Sequence, residues 1–358
     1  MKIFVDETEI EIVRKRLETD SIFSKFFGEE WIKENFLNQE ERSKKHMMFW
    51  VVLEEIKYQK MEDWLSTLKR TLPETKFVKI VNTLKEKRGK NKFYSFIPEI
   101  EVLAYYLKQE NDNFKVEFEP KIPGKTKVGD IKLMFDSNQI FLEITRLFAS
   151  EKEERINAIM ETIHKKIDEI EDNPFLISFK IEERFVETDI GPFVSFVKQK
   201  IPELRGELEK STAKSIKMIF ENRAWFMVHK EIGKKGHVSG AMSPVMMLET
   251  GGRLKHKILD KIEQLPDNHL NVIVLDISHH FAHFEDITDA FGGQEGLKID
   301  VKTMEATPFR HANGVVQVDD GRKVSVIIGF KGFDYEHRKK YVNLSAENPF
   351  TDELLSQI

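Results

Sequence analysis

Alternating apolar and polar residues near the middle of the chain predict two β-strands joined by a tight turn. In residues 130–135, DIKLMF, large apolar side chains recur at every second position, and residues 140–145, IFLEIT, repeat the alternation. Between the two runs, residues 136–139 are Asp-Ser-Asn-Gln, which are residue types that favour tight turns. The pattern therefore predicts a β-hairpin with one uniformly apolar face and one mixed face.

Two carboxylates belong to the mixed face of this predicted hairpin. Asp130 opens the first strand, and Glu143 lies within the second strand on the face that carries Phe141 and Thr145. A carboxylate in so apolar a strand is costly to bury unless something compensates its charge. Hard cations such as Mg²⁺ are commonly held by one or two carboxylates together with water and phosphate oxygens. The convergence of Asp130 and Glu143 therefore predicts a site for a hard metal ion.

Further elements surround the hairpin. Residues 98–107, PEIEVLAYYL, predict a helix, residues 114–118 a strand, and residues 152–170 a second helix. This order resembles the core of the PD-(D/E)XK nuclease superfamily, the restriction-endonuclease-like fold, which has an acidic residue on one strand and Glu-x-Lys on the next. Gly129-Asp130 and Glu143-Ile144-Thr145 match those positions, with Thr145 where the family usually has lysine.

The resemblance implies an α/β fold, a restriction-endonuclease-like mixed sheet flanked by helices. Residues 1–92 have mostly helical patterns, so we expect an N-terminal helical region there and a nuclease-like α/β domain with a C-terminal elaboration over residues 93–358. We expect the helix at 152–170 and a strand at 175–181 to continue the nuclease core. The apolar runs 271–276 and 324–330 predict two late strands that extend the same sheet.

The resemblance also implies roles for individual residues. Asp130 and Glu143 would bind Mg²⁺ or Mn²⁺, and a glutamate of the first core helix, Glu99 or Glu101, would complete or orient the site. These two glutamates cannot both face inward, because two residues along a helix correspond to a rotation of about 200°. Packing spacing favours Glu99, whereas the Glu-x-Leu-Ala pattern favours Glu101, so both stay as candidates.

Thr145 lacks the positive charge that the family lysine uses to position or activate the attacking water. Lys132, two residues after Asp130 on the same strand face, is the replacement nearest in sequence, and the hydroxyl of Thr145 offers another route by hydrogen-bonding a metal-bound water. Lys165 and Lys166 are more distant alternatives. Lys261, in a Lys-x-x-Gln pattern similar to one in endonuclease-like proteins, is another, although a surface lysine is the favoured interpretation there.

Composition narrows the possible chemistry. The chain has 358 residues, of which 40% are hydrophobic and 33% charged, so it can bury a large core beneath a polar surface. It contains no cysteine, which excludes disulfides, thiolate zinc sites and cysteine nucleophiles. The net charge of −5 excludes a uniformly basic nucleic-acid coat. Binding to nucleic acid would therefore need a local basic patch, for which residues 85–92 and Lys121, Lys125 and Lys127 are candidates.

The sequence has no apolar run near the ~20 residues that a membrane helix needs, and its N-terminus lacks the apolar stretch of a signal peptide. We therefore expect a cytoplasmic protein without a membrane partner. The expected function is metal-dependent endonuclease cleavage of DNA phosphodiester bonds. In this interpretation the N-terminal helices serve recognition, homodimer formation or another protein partner.

Two alternatives stay open. The first is a catalytically inactive nuclease-fold protein that binds nucleic acid or a protein partner, which the threonine at position 145 suggests. The second is a transition-metal site, because His279 and His283 are four residues apart and would share one face of a helix.

Overall fold

The computed structural model describes residues 5–18, 21–41, 44–86, 90–148, 151–170, 176–182, 184–210, 212–229, 238–242, 250–278, 282–299 and 306–358. The chain divides into two compact units. The first unit comprises Met1–Phe148 and Gly251–Ile358, and the second comprises Ala149–Thr250. This division differs from the expected boundary after residue 92. The reason is that the N-terminal helices share one hydrophobic core with the sheet that follows them.

The elements are numbered in chain order. The helices are α1 (Glu7–Glu18), α2 (Ile22–Phe27), α3 (Glu29–Ile32), α4 (Met47–Leu53), α5 (Glu55–Thr71), α6 (Glu74–Glu86), α7 (Lys90–Leu107), α8 (Glu151–Asp168), α9 (Ile190–Lys210), α10 (Thr250–Ile262), α11 (Phe284–Gly292) and α12 (Asp352–Gln357). The strands are β1 (Phe114–Phe118), β2 (Ile131–Phe135), β3 (Asn138–Arg146), β4 (Leu176–Ile181), β5 (Ser215–Phe220), β6 (Ala224–His229), β7 (Val238–Met242), β8 (Leu270–Asp276), β9 (Glu295–Ile299), β10 (Ala306–Arg310), β11 (Val326–Phe330) and β12 (Lys339–Val342).

A mixed six-stranded sheet organises the first unit, in the order β1-β2-β3-β8-β11-β12. Strands β3, β8 and β11 are parallel, and the outer pairs are antiparallel. The predicted α/β class is confirmed, and so is the prediction that the two late strands extend the sheet of the hairpin. The hairpin turn also forms as predicted, since Asp136 adopts the left-handed φ of 48° that Asp tolerates.

The two faces of this sheet are covered by different helices. On one face, Ile140, Leu142 and Ile144 of β3 join a core that includes α7 and the N-terminal helices. On the other face, Ile273 of β8 belongs to a core that includes α10 and α11. Glu143 is the register partner of Ile273 in the parallel ladder, so its side chain points to the α10 face. The mixed face predicted for the hairpin is therefore the face that α10 covers.

The second unit has its own sheet and core. Its four strands run in the order β5-β6-β4-β7. Helices α8 and α9 pack their apolar stripes against one face of this sheet, around the fully buried Phe193 and Phe226. The expectation that residues 152–170 and 175–181 continue the nuclease core is wrong, because β4 pairs with β6 and β7 and forms part of this second sheet.

Candidate active site

Asp130 is held in place at the start of β2. One carboxylate oxygen, Oδ2, accepts a hydrogen bond of 2.6 Å from the backbone N–H of Ile144 on the neighbouring strand. The preceding residue is Gly129, where a Cβ would lie only 3.3 Å from Oε1 of Glu143. The glycine therefore leaves room for the Glu143 carboxylate beside Asp130. This accounts for the Gly-Asp pair in structural terms.

Lys261 joins the two carboxylates. Its ammonium nitrogen lies 2.9 Å from Oε2 of Glu143 and 3.8 Å from Oδ2 of Asp130. All three side chains are largely buried, with exposed fractions of 17% for Lys261, 3% for Glu143 and 22% for Asp130. Oε1 of Gln264 lies 3.5 Å from the same nitrogen. The interpretation of Lys261 as a surface lysine is wrong, since the Lys-x-x-Gln pattern reaches the predicted site.

The position of Lys261 on α10 explains why it points at the sheet. Leu254, Ile258 and Ile262 form the buried stripe of this helix. Lys261 follows Leu254 by seven residues and Ile258 by three, so it falls on the same stripe. A lysine inside an apolar helical stripe was the sequence signal that could have identified it.

The ionisation of the three groups is strongly coupled. Burial and the neighbouring Asp130 raise the pKa of Glu143 to about 7, and burial raises the pKa of Asp130. Burial by itself lowers the pKa of Lys261, but the two carboxylates outweigh it and the net pKa is raised. The lysine therefore stays charged, and one cation faces two acids. A second positive charge, either a proton or a metal ion, would neutralise the remaining carboxylate charge.

The other residues predicted for the site differ in how they relate to Asp130, Glu143 and Lys261. Thr145 is buried on the same strand face as Glu143, two residues further on. Lys132 shares the strand face of Asp130 but forms an ion pair with Glu117 of β1. Glu99 is half-buried and acts electrostatically on Lys261, whose pKa it raises. Lys165 and Lys166 belong to α8 of the second unit.

Glu101 is committed to other partners. Its two carboxylate oxygens accept hydrogen bonds of 2.8 Å each from the backbone N–H groups of Phe333 and Tyr335. Of the two helix glutamates, Glu99 is thus the one with an electrostatic link to the site.

Residues 87–89 of the basic linker and both His279 and His280 lie outside the described residues, while His283 is exposed at the start of α11.

The buried carboxyl of Glu101 gives a test by pH. Burial raises its pKa from 4.5 to about 8, so the folded chain binds this proton more tightly than the unfolded chain does. Its stabilising contribution is complete below pH 4.5 and is lost as the pH rises through about 8. We expect the free energy of unfolding to fall over this range by up to about 1.4 kcal/mol per pH unit, and this component to be missing in Glu101→Gln.

Urea unfolding at several pH values measures this difference. The glutamine loses one of the two backbone hydrogen bonds, but that loss is the same at every pH. The control is Glu336→Gln, a neighbour of Tyr335 with an exposed side chain. Parallel pH profiles for the wild type and Glu101→Gln would contradict the assignment.

A second polar cluster lies where the parallel strands end. Asp276 is fully buried, and its Oδ1 accepts hydrogen bonds of 2.9 Å from the Ser278 N–H and 3.0 Å from the Gly332 N–H. A guanidinium nitrogen of Arg146 lies 3.2 Å from Oδ2 and forms an ion pair with it. No group among the described residues donates a hydrogen bond to Oδ2. The guanidinium also lies over the ring of Tyr94. This cluster ties together the ends of β3, β8 and β11.

Comparisons with known proteins found no matching family model, no matching curated protein and no matching solved structure. The assignment of function therefore depends on the site itself. Among the described residues, no group of three or more His, Asp or Glu side chains is arranged to hold a metal ion. Asp130 and Glu143 are a pair of hard oxygen donors, which fits a cation that keeps most of its water ligands. None of the described helices combines the length and apolar character needed to cross a membrane.

Proposed function

We propose that this chain is a metal-dependent endonuclease with a restriction-endonuclease-like core that hydrolyses DNA phosphodiester bonds. The observation that supports the proposal most is the contact of the Lys261 ammonium with both Glu143 and Asp130. It supplies, from α10, the positive charge that Thr145 lacks. The proposal places the enzyme in the cytoplasm, with the N-terminal helices serving recognition or a protein partner.

In this proposal Asp130 and Glu143 hold Mg²⁺ or Mn²⁺. When bound, such an ion lowers the pKa of a water ligand and offsets the charge that develops on the phosphate. The fit is electrostatic as well as chemical. Burial and then the neighbouring Asp130 raise the pKa of Glu143 to about 7, and a divalent cation would take the place of the proton that this carboxyl otherwise holds.

The chain's own residues have separate tasks. The N–H of Ile144 fixes one oxygen of Asp130 and so fixes the direction of its free lone pairs. Lys261 donates hydrogen bonds toward the space between the carboxylates, where it orients a water molecule or a phosphate oxygen. The hydroxyl of Thr145 can both donate and accept a hydrogen bond, so it orients a second water. Glu99 adds negative potential that keeps Lys261 protonated.

The test is metal-dependent cleavage of single-stranded DNA, duplex DNA and RNA by the wild type and by Glu143→Gln. We expect cleavage by the wild type with Mg²⁺ or Mn²⁺ and a loss of about 100-fold or more in the variant, because one of two metal-binding carboxylates is removed. The matched control is Glu263→Gln, an exposed glutamate beside α10. No cleavage by the wild type with any substrate and either metal would contradict the enzyme, and equal cleavage by both proteins would contradict the site.

A second candidate function is nucleic-acid or protein binding without catalysis. Two observations favour it: Thr145 occupies the lysine position of the motif, and Lys261 already neutralises part of the charge of the carboxylates. Under this proposal DNA binding weakens steeply with salt and no product forms in the presence of metal. If DNA does not bind at any salt concentration, a protein partner becomes the remaining form of this candidate.

A further inference from the structure

Among the described residues of the second unit, helices α8 and α9 pack on one face of the sheet and do not cover the other. Ile177, Phe179 and Ile181 of β4 and Phe226 of β6 point to the core side, against α8 and α9. The alternate residues point the other way. On the outer face the strand register aligns three rows of side chains: Lys180, Trp225 and Ile219; Ser178, Met227 and Lys217; and Leu176, His229 and Ser215.

This outer face is accessible and combines aromatic with basic groups. Lys217 is exposed, Ile219 is 59% exposed, and Trp225 and Met227 are half-buried. The ammonium of Lys217 lies 4.3 Å from the centre of the Trp225 ring. Beside them, the Ser178 hydroxyl and Nε2 of His229 are 2.8 Å apart, a polar pair that can both donate and accept. One surface therefore carries a flat ring, a cation and hydrogen-bonding groups.

The ionisable side chains that three of these strands contribute are all basic. Strands β4, β5 and β6 contain Lys180, Lys217 and His229 but no Asp or Glu, whereas the whole chain carries a net charge of −5. Lys180 is paired with Glu182 just beyond the end of its strand, at 3.1 Å. No carboxylate of the described residues lies within ion-pair distance of Lys217, so its charge is directed at the ring and the solvent.

We propose that this face binds a single-stranded segment of nucleic acid. The long Lys217 side chain moves off the Trp225 ring to contact a phosphate, and the ring then stacks on the adjacent base. The Ser178–His229 pair hydrogen-bonds a base edge. Single strands suit such a surface because their bases can leave the helical stack and lie on an aromatic side chain, whereas the bases of a duplex cannot. The inference rests on the proposed function in one respect, since it names the form of nucleic acid that the nuclease holds.

An acidic protein segment is the competing occupant, because it also complements the lysines. It has no aromatic requirement of its own, whereas stacking makes Trp225 essential for a base. The flat ring on the interior strand β6 therefore favours nucleic acid. Duplex DNA is less suited, since its phosphates would meet the lysines but its bases would not reach the ring.

The experiment measures binding by fluorescence anisotropy in EDTA, so that cleavage plays no part in the result. The probe is a labelled mixed-sequence single strand of about 15 nucleotides, which is near the upper end of the site sizes of single-strand binding modules. The same sequence as a duplex and polyglutamate serve as competitors. The full chain is compared with Trp225→Ala, Trp225→Phe, Lys217→Gln and the control Lys198→Gln. Lys198 is exposed on α9, a helix that packs on the opposite face of the sheet.

We expect Trp225→Ala to weaken single-strand binding by about 5- to 150-fold, since one stacked base is lost. Trp225→Phe retains a ring and should bind better than Trp225→Ala, which separates stacking from misfolding. Lys217→Gln should weaken binding and reduce the salt slope by about 0.7, the contribution of one phosphate contact, and Lys198→Gln should leave both unchanged.

Three results would overturn the inference: wild-type affinity in Trp225→Ala, a duplex or polyglutamate that competes as well as the single strand, or no binding at low salt. If only the proposed nuclease function is wrong, the protein will not cleave with metal but will still bind the single strand in EDTA. The reverse pattern, cleavage without a contribution from Trp225, would overturn the binding face and leave the nuclease in place.

Discussion

Under the proposed function, replacing Lys261 by methionine is expected to reduce metal-dependent cleavage of DNA by about 100-fold or more while the chain stays folded. The methionine keeps the apolar stem packed along the buried stripe of α10 but removes the ammonium that contacts Glu143 and Asp130. A preorganised charge in a site shielded from water typically contributes 10²- to 10³-fold to a rate. Rates of cleavage with Mg²⁺ and Mn²⁺ measure the loss.

The position of the charge can be tested further by moving it. Adding Thr145→Lys to the Lys261→Met protein places an ammonium on the same strand face as Glu143. We expect this double variant to recover part of the lost rate. The matched control is Lys257→Met, one turn earlier on α10, which should cleave at the wild-type rate. Wild-type cleavage by Lys261→Met would contradict the role of this lysine, whatever the double variant does.

The second large effect is expected at Asp276. Asp276→Ala should lower the free energy of unfolding by about 3–5 kcal/mol, the range for breaking a buried ion pair by removing one partner. The Ser278 and Gly332 N–H groups lose their acceptor, and Arg146, only 15% exposed, loses its counter-ion. Urea unfolding measures the change.

A double-mutant cycle identifies the source of this effect. Arg146→Met should also destabilise, because it leaves the fully buried carboxyl of Asp276 without its cation. If the stabilising effect comes from the ion pair between the two groups, the double variant will lose clearly less free energy of unfolding than the sum of the two single losses. Asp267→Ala, at an exposed ion pair with Lys323, is the control and should change stability by less than about 0.5 kcal/mol. Additive losses at 146 and 276 would show that the ion pair is not what holds the strand ends together.

The alternation of side chains was enough to predict the hairpin and its neighbours. β1 has the predicted bounds of 114–118, and β8 begins one residue before the predicted strand. Within each strand the alternation puts the carboxylate on the face opposite the regular apolar set, Asp130 opposite Ile131 and Glu143 opposite Leu142. Since the two apolar sets pair across the hairpin, both carboxylates share the other face. Local patterns of this kind carry reliable information about strands and the faces of strands.

Long-range pairing could not be predicted in the same way. Within the expected range 175–181, residues 176–181 form the strand β4. Its hydrogen-bond partners are β6 and β7, and nothing in its own pattern distinguishes that sheet from the first one. Because lysine usually lies at a protein surface, the sequence favours that position for Lys261 as well. Its membership of the stripe of Leu254 and Ile258 would have indicated otherwise, but only the folded chain brings that stripe to Glu143. The choice between Glu99 and Glu101 likewise needed the backbone N–H groups near residue 333.

The insertion of the second unit into the first has a consequence for the order of events at the ribosome. Asp130 and Glu143 are synthesised before residues 149–250, and Lys261 only after them, 118 positions later than Glu143. At about 5–20 residues per second, this gap lasts roughly 6 to 24 seconds. Throughout that interval the nascent chain has both acids but lacks the cation. Under the proposed nuclease function, cleavage of nearby nucleic acid would therefore be withheld until the inserted unit has been made.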